Sequence, residues 1–170
     1  LFIFVIAILF LIGLIYINNR FDFLFKKEEI KDCEISLIFG GDLMLDRYIR
    51  TVGEKNGYEY VFENINSYLK SSDGVIANLE GPITTNESVS QYSEVNSKEN
   101  YIFTINPKVM PVLKQNNFIA LNIGNNHIYN FGQNGVDQTR IYLKKMGIDY
   151  IGLENNPLYL DIKKNILAFF

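Results

Sequence analysis

Apolar and polar residues alternate along this chain in blocks short enough to be single strands and helices. Three runs, "ISLIF" (35–39), "GVIANL" (74–79) and "FIALNI" (118–123), carry no charge. Continuous runs of that length predict strands covered on both faces, whereas half-exposed strands alternate. Gly40-Gly41 stops the first run and Gly81-Pro82 the second. Tyr58, Phe62, Ile65 and Leu69 recur at helical spacing, and "SSDG" closes that segment. "NPKVMPVLKQNN" (106–117) predicts a helix whose regular part follows Pro111. "GVDQTRIYLKKMG" (135–147) predicts another, packing through Val136, Ile141, Leu143 and Met146 and ended by Gly147. The polar stretch "TTNESVSQYSEVNSKEN" (84–100) reads as a surface loop, while "DYIGL" and "NILAFF" add two further strand signals.

Strands separated by helices predict right-handed crossovers and a mostly parallel sheet, hence the α/β class. "NILAFF" ends at Phe170, and so apolar a strand at an open edge invites aggregation. The layered sheet is therefore expected to be incomplete at its C-terminal side.

The first seventeen residues break this rhythm. "LFIFVIAILFLIGLIYI" has no charge, and a helix of that length covers about 25 Å, slightly less than a hydrocarbon core of about 30 Å. "YINNR" offers no small-x-small cleavage site. The reading is an N-terminal transmembrane anchor over residues 1–17, a juxtamembrane stalk over 18–33 and one folded domain over 34–170, too short for two cores. A net charge of −3 with mixed signs argues against nucleic acid, which needs a basic patch. The single cysteine, Cys33, excludes an internal disulfide. "NES" (86–88) fits a glycosylation acceptor pattern, which arises often by chance.

Open parallel sheets bind ligands beyond the carboxyl ends of their strands. "SLIFGGD" delivers Asp42 there, "VIANLE" delivers Asn78 and Glu80, and "IALNIGNNH" delivers Asn125, Asn126 and His127. Taken singly these are a turn residue, a polar strand exit and a loop histidine. Taken together, two carboxylates, an amide carbonyl and an imidazole form a divalent-metal constellation, suited to Mn²⁺, Fe or Zn²⁺.

"GGDLMLDR", "ANLEGPIT" and "NIGNNHIYNFGQNGVDQT", in this order, resemble the three N-terminal motifs of the capsule synthesis protein CapA family, the poly-γ-glutamate synthesis domain. That family is similar to the calcineurin-like metallophosphoesterases, so the resemblance implies a metallophosphoesterase-like α/β sheet from about Ser36 onward. It also implies metal-binding roles for Asp42, Glu80 and Asn126, with His127 facing the phosphate; Asn78 and Asn125, delivered at the same strand ends, are candidate pocket residues. Met44 stands where related phosphoesterases place a ligand histidine, Glu80 where they place an aspartate, and Asn130 where the capsule family often has an aspartate. The implied partners are the membrane, other subunits of capsule or polyglutamate synthesis, and an anionic polymer.

Two functions remain open at this point. One is a membrane-anchored component of poly-γ-glutamate synthesis or export with a divalent-metal site, its domain outside the cell. The other is a metal-dependent phosphoester hydrolase at the cell surface, with His127 as proton donor or oxyanion stabiliser.

Overall fold

The three charge-free runs become neighbouring strands of one sheet. In the computed structural model, which describes residues 33–153 and 157–170, β1 (Leu37–Leu43), β2 (Gly74–Leu79), β3 (Phe118–Asn122) and β4 (Asp149–Ile151) lie in the order β1-β2-β3-β4. Every pairing is parallel. The expected anchor and all but the last residue of the stalk lie outside the described residues. Among those described, no helix is long and apolar enough to cross a membrane. Residues Glu34–Phe170 form one compact unit.

Parallel strands that advance steadily in one direction return by right-handed crossovers over the same face. Here α1 (Arg47–Asn56), α2 (Glu59–Phe62) and α3 (Asn66–Lys70) join β1 to β2. A 3₁₀ turn (Pro107–Val109) and α4 (Met110–Gln115) join β2 to β3, and α5 (Gly132–Met146) joins β3 to β4. Phe62, Leu69, Leu113, Val136 and Leu143 from these helices share one buried cluster with Val75, Ala77, Leu79, Phe118 and Leu121 from the sheet.

The helical signal at 58–69 is interrupted: Glu63 to Ile65 break it into α2 and α3, and Ile65 is exposed. Helix α1 has no readable signal of its own, because its buried residues are Arg50 and Gly53 rather than apolar side chains. Pro111 sits in the first turn of α4, where its missing N–H costs nothing. Gly147 ends α5 at φ 61°, with Ile148 N–H donating to Leu143 O at 3.0 Å in a Schellman-type cap. Ile141, expected to pack, is exposed, and Thr139 is buried instead. The Thr139 hydroxyl donates to Gly135 O and accepts from Ile83 N–H at 2.8 Å, tying α5 to the chain leaving β2.

The last strand signal is not a parallel strand. β5 (Leu158–Ile162) and β6 (Asn165–Phe169) form an antiparallel hairpin, a separate two-stranded sheet. Its two-residue link, Lys163-Lys164 at φ 53° and 66°, matches the primed hairpin turns and is far too short for a crossover. The hairpin packs on the face that the helices leave open, through Leu160 against Ile76 and Ala120 and through a Phe39–Phe169 ring contact at 6.1 Å.

Candidate functional site

Strand alternation alone would not bring the expected site residues to one face. Phe39 meets the hairpin, and Asp42 lies three positions further on, an odd step that points to the opposite side. Gly40-Gly41 does not end β1, however; the strand continues to Leu43 with an irregularity between Phe39 and Asp42. Three steps on β1 there oppose two on β2, since Phe39 pairs with Ile76 and Asp42 with Asn78. The bulge absorbs one residue and turns Asp42 onto the hairpin face. Asn78 follows Ile76 by two, and Asn122 follows Ala120 by two, so both share that face. Asp42, Asn78 and Asn122 are consecutive register partners across three strands.

The orientation of each amide follows from backbone groups. Asn125 Oδ1 accepts from His127 N–H at 3.0 Å, while its Nδ2 donates to Leu79 O at 2.8 Å. That nitrogen also donates to Asn78 Oδ1 at 3.0 Å, as Asn122 Nδ2 does at 2.9 Å. Asn78 must then present its NH₂ group on the other side. There Nδ2 donates to Asp42 Oδ1 at 2.8 Å and to Glu80 Oε2 at 2.6 Å. Two carboxylates from two strand ends meet on one amide nitrogen.

His127 is fixed in the same manner. Asn130 Oδ1 accepts from Phe103 N–H at 2.9 Å, so it is an acceptor, and it lies 3.1 Å from His127 Nδ1. The ring proton therefore belongs on Nδ1. In the neutral ring, Nε2 keeps a bare lone pair, 3.5 Å from Glu80 Oε1. A neutral imidazole so held has no Nε2 proton to give; donation from that atom requires the doubly protonated ring. The ring packs against Phe103 with centroids 4.3 Å apart. Phe103 in turn closes on Gly81 (φ 136°), where an added Cβ would stand 2.9 Å from Phe103 Cβ, so a side chain there would push this wall away.

Of the expected residues, Asp42, Asn78, Glu80, Asn125 and His127 are joined by these contacts. Asn126 is exposed and makes no hydrogen bond among the described residues. Asn122, Phe103 and Asn130 are additions. Asn122 was legible in principle, two positions after Ala120 on a strand; Phe103 and Asn130 reach the site from loops and carry no such signal.

The donors suit a divalent cation in kind: two carboxylates converge on Asn78 Nδ2, and an imidazole nitrogen lies 3.5 Å from one of them, a spacing that a shared proton or a cation would fill. In number they fall short, since no group of three or more His, Cys, Asp or Glu placed to hold a metal occurs among the described residues.

Residues 36–169 match the family model described as bacterial capsule synthesis protein PGA_cap. The chain is 28% identical over 130 residues to the capsule biosynthesis protein CapA of Bacillus anthracis, covering 76% of this chain and 30% of that protein. It is 32% identical over 127 residues to the PGA biosynthesis protein CapA of Bacillus subtilis (strain 168), covering 75% of this chain and 32% of that one. The chain thus spans about a third of the length of the curated relatives it matches.

Proposed function

The chain belongs to the bacterial capsule synthesis protein PGA_cap family, and from that premise we propose that it is a component of poly-γ-glutamate capsule synthesis or export. In this reading residues 1–17 anchor it in the cell membrane with the folded domain outside, beside the other capsule subunits and the anionic polymer. The observation that carries the reading is the convergence of Asp42 and Glu80 on Asn78 Nδ2, inside the matched stretch.

A divalent cation, Mn²⁺, Fe or Zn²⁺, would be held by Asp42 and Glu80; Asn126, the expected amide ligand, is exposed and outside their hydrogen-bond network. Bound there, the cation would supply charge neutralisation and an activated water. The chain's own residues do the rest. Asn78, itself held by Asn122 and Asn125, keeps the two carboxylates at one point. Asn130 holds the His127 ring so that Nε2 faces Glu80, and Phe103 shields one side of that ring from water.

Hydrolysis of a phosphoester at the same site is the second reading, favoured by the approach of His127 Nε2 to the Glu80 carboxylate. The two separate experimentally. In cells making the full-length protein, Asp42→Ala and Glu80→Ala should abolish surface polymer while protein level and membrane fraction are unchanged. Undiminished polymer in both variants would sink the capsule reading of this site. Cleavage of a generic phosphodiester by the purified protein, lost in Asp42→Ala, would establish the hydrolase. Metal content should fall in Asp42→Ala and survive in His127→Ala; loss in both would make His127 a ligand.

A further inference from the structure

Arg47 carries a positive charge that no carboxylate within ion-pair distance answers among the described residues, unlike Arg50, which pairs with Glu54, and Lys163, which pairs with Asp73. It does so from an unfavourable backbone. Its φ is 53°, in the left-handed region that a side chain with a Cβ avoids, at the first residue of α1. Glycine would fit that conformation more easily, so the contacts of the arginine side chain are the place to look for what the strained position serves.

The side chain is fixed at one edge and open at another. Nε and Nη2 donate to Asn100 O at 2.8 and 2.6 Å. The guanidinium lies over the rings of Phe103 and Tyr101, 4.7 and 5.4 Å from their centroids. Nη1 donates to no described residue. Phe103 is the same ring that packs on His127 at 4.3 Å, so the guanidinium stands one aromatic ring away from the imidazole.

Charge gives such a group a use. Asp42 and Glu80 place negative charge at the strand ends, a single divalent cation would no more than balance it, and both substrate classes considered above, a glutamyl polymer and a phosphoester, are anionic. We propose that Arg47 is the anion-recognition residue of this site, taking a carboxylate or phosphate oxygen of the substrate through Nη1. The inference rests on the strand-end site being the working site. A guanidinium suits the task because it stays charged, is weakly hydrated and presents several N–H groups in one plane. Stacking on two rings pre-orders it, so little side-chain freedom is lost when the anion arrives.

The test uses the full chain, titrated with inorganic phosphate and, separately, with γ-linked triglutamate at low salt, followed by calorimetry. Arg47→Gly relieves the backbone and removes the charge; Arg47→Gln keeps the backbone and much of the side-chain length. Both should weaken binding of at least one probe about tenfold with melting temperature held or raised in Arg47→Gly, and Arg47→Lys should recover part of the loss. Loss confined to triglutamate identifies a carboxylate site, loss confined to phosphate a phosphate site. Unchanged binding in a folded Arg47→Gly or Arg47→Gln, or a wild-type chain that binds neither probe, overturns the proposal. Failure of the underlying reading looks different: Asp42→Ala would leave surface polymer intact while Arg47→Gly still lost the anion.

Discussion

On the helix side of the sheet, Val75, Ala77, Leu79, Phe118 and Leu121 disappear into a cluster fed by every helix that contributes a buried apolar residue. On the hairpin side, Ile76 and Ala120 find only Leu160 as a buried partner among the described residues, and the same rows then run into Asn78 and Asn122. The two faces come from the same strands, by alternation on β2 and across a register irregularity after Phe118 on β3. One face closes the core; the other, lightly covered, carries two carboxylates beside one another. A densely packed face can sustain like charges on its reverse because it supplies stability that the charged rows do not.

The contrast can be broken at several points. Leu121→Ala, at a fully buried position, should cost about 2–5 kcal/mol, read as a large drop in denaturation midpoint. Leu160→Ala on the hairpin side should cost no more than about 2 kcal/mol, the low end for buried leucines; an equal loss would mean the faces share one core. Asn78→Ala removes the donor between the carboxylates and two acceptor contacts. It should cost about 1 kcal/mol of stability yet abolish surface polymer, whereas a neutral result in cells would detach the network from function. Asp42→Asn removes one of two facing charges and should leave stability unchanged or raise it by about 0.5 kcal/mol, again with loss of polymer.

The smallest effect concerns the hairpin's tether. Asp73 accepts from Lys163 Nζ at 2.8 Å and from Ser36 N–H at 2.9 Å, and the Lys163 hydrogen bond first, the Ser36 amide second, lowers its pKa. A carboxyl whose folded pKa is depressed contributes stability that is present above its unfolded value, about 3.9, and lost as pH falls through the lower folded value. Amide exchange in β5 and β6 should therefore quicken below about pH 4 while β3 stays protected. Asp73→Asn should remove that pH dependence; uniform loss of protection would show the hairpin is not separately tethered.

The strands were legible because continuous apolar runs of five or six residues have few other uses in a folded domain. The polar residues at their carboxyl ends were legible too, Asn78 within its run and Glu80 and His127 just beyond theirs, although β1 runs past Gly40-Gly41 to include Asp42. Helix α1 was not, because it turns Arg50 and Gly53 inward: Arg50 satisfies Thr104 O at 3.1 Å, and Tyr58 packs where a side chain on Gly53 would be. The hairpin was half legible. "NILAFF" announced a strand, but nothing in its own residues said that the partner would be antiparallel "LYLDI" across a two-lysine turn.

Residue order alone determined which side chains would stand at the strand ends, because hydrophobic runs fix where strands lie and parallel strands share one direction. It could not determine which way those side chains would face. That depended on a one-residue bulge at Gly40-Gly41, whose effect exists only against the register of β2, and on Phe103 and Asn130, which arrive from loops distant in the chain. Side-chain direction in a sheet has a period of two, so one inserted residue decides it, and only the paired neighbour shows whether the insertion is there.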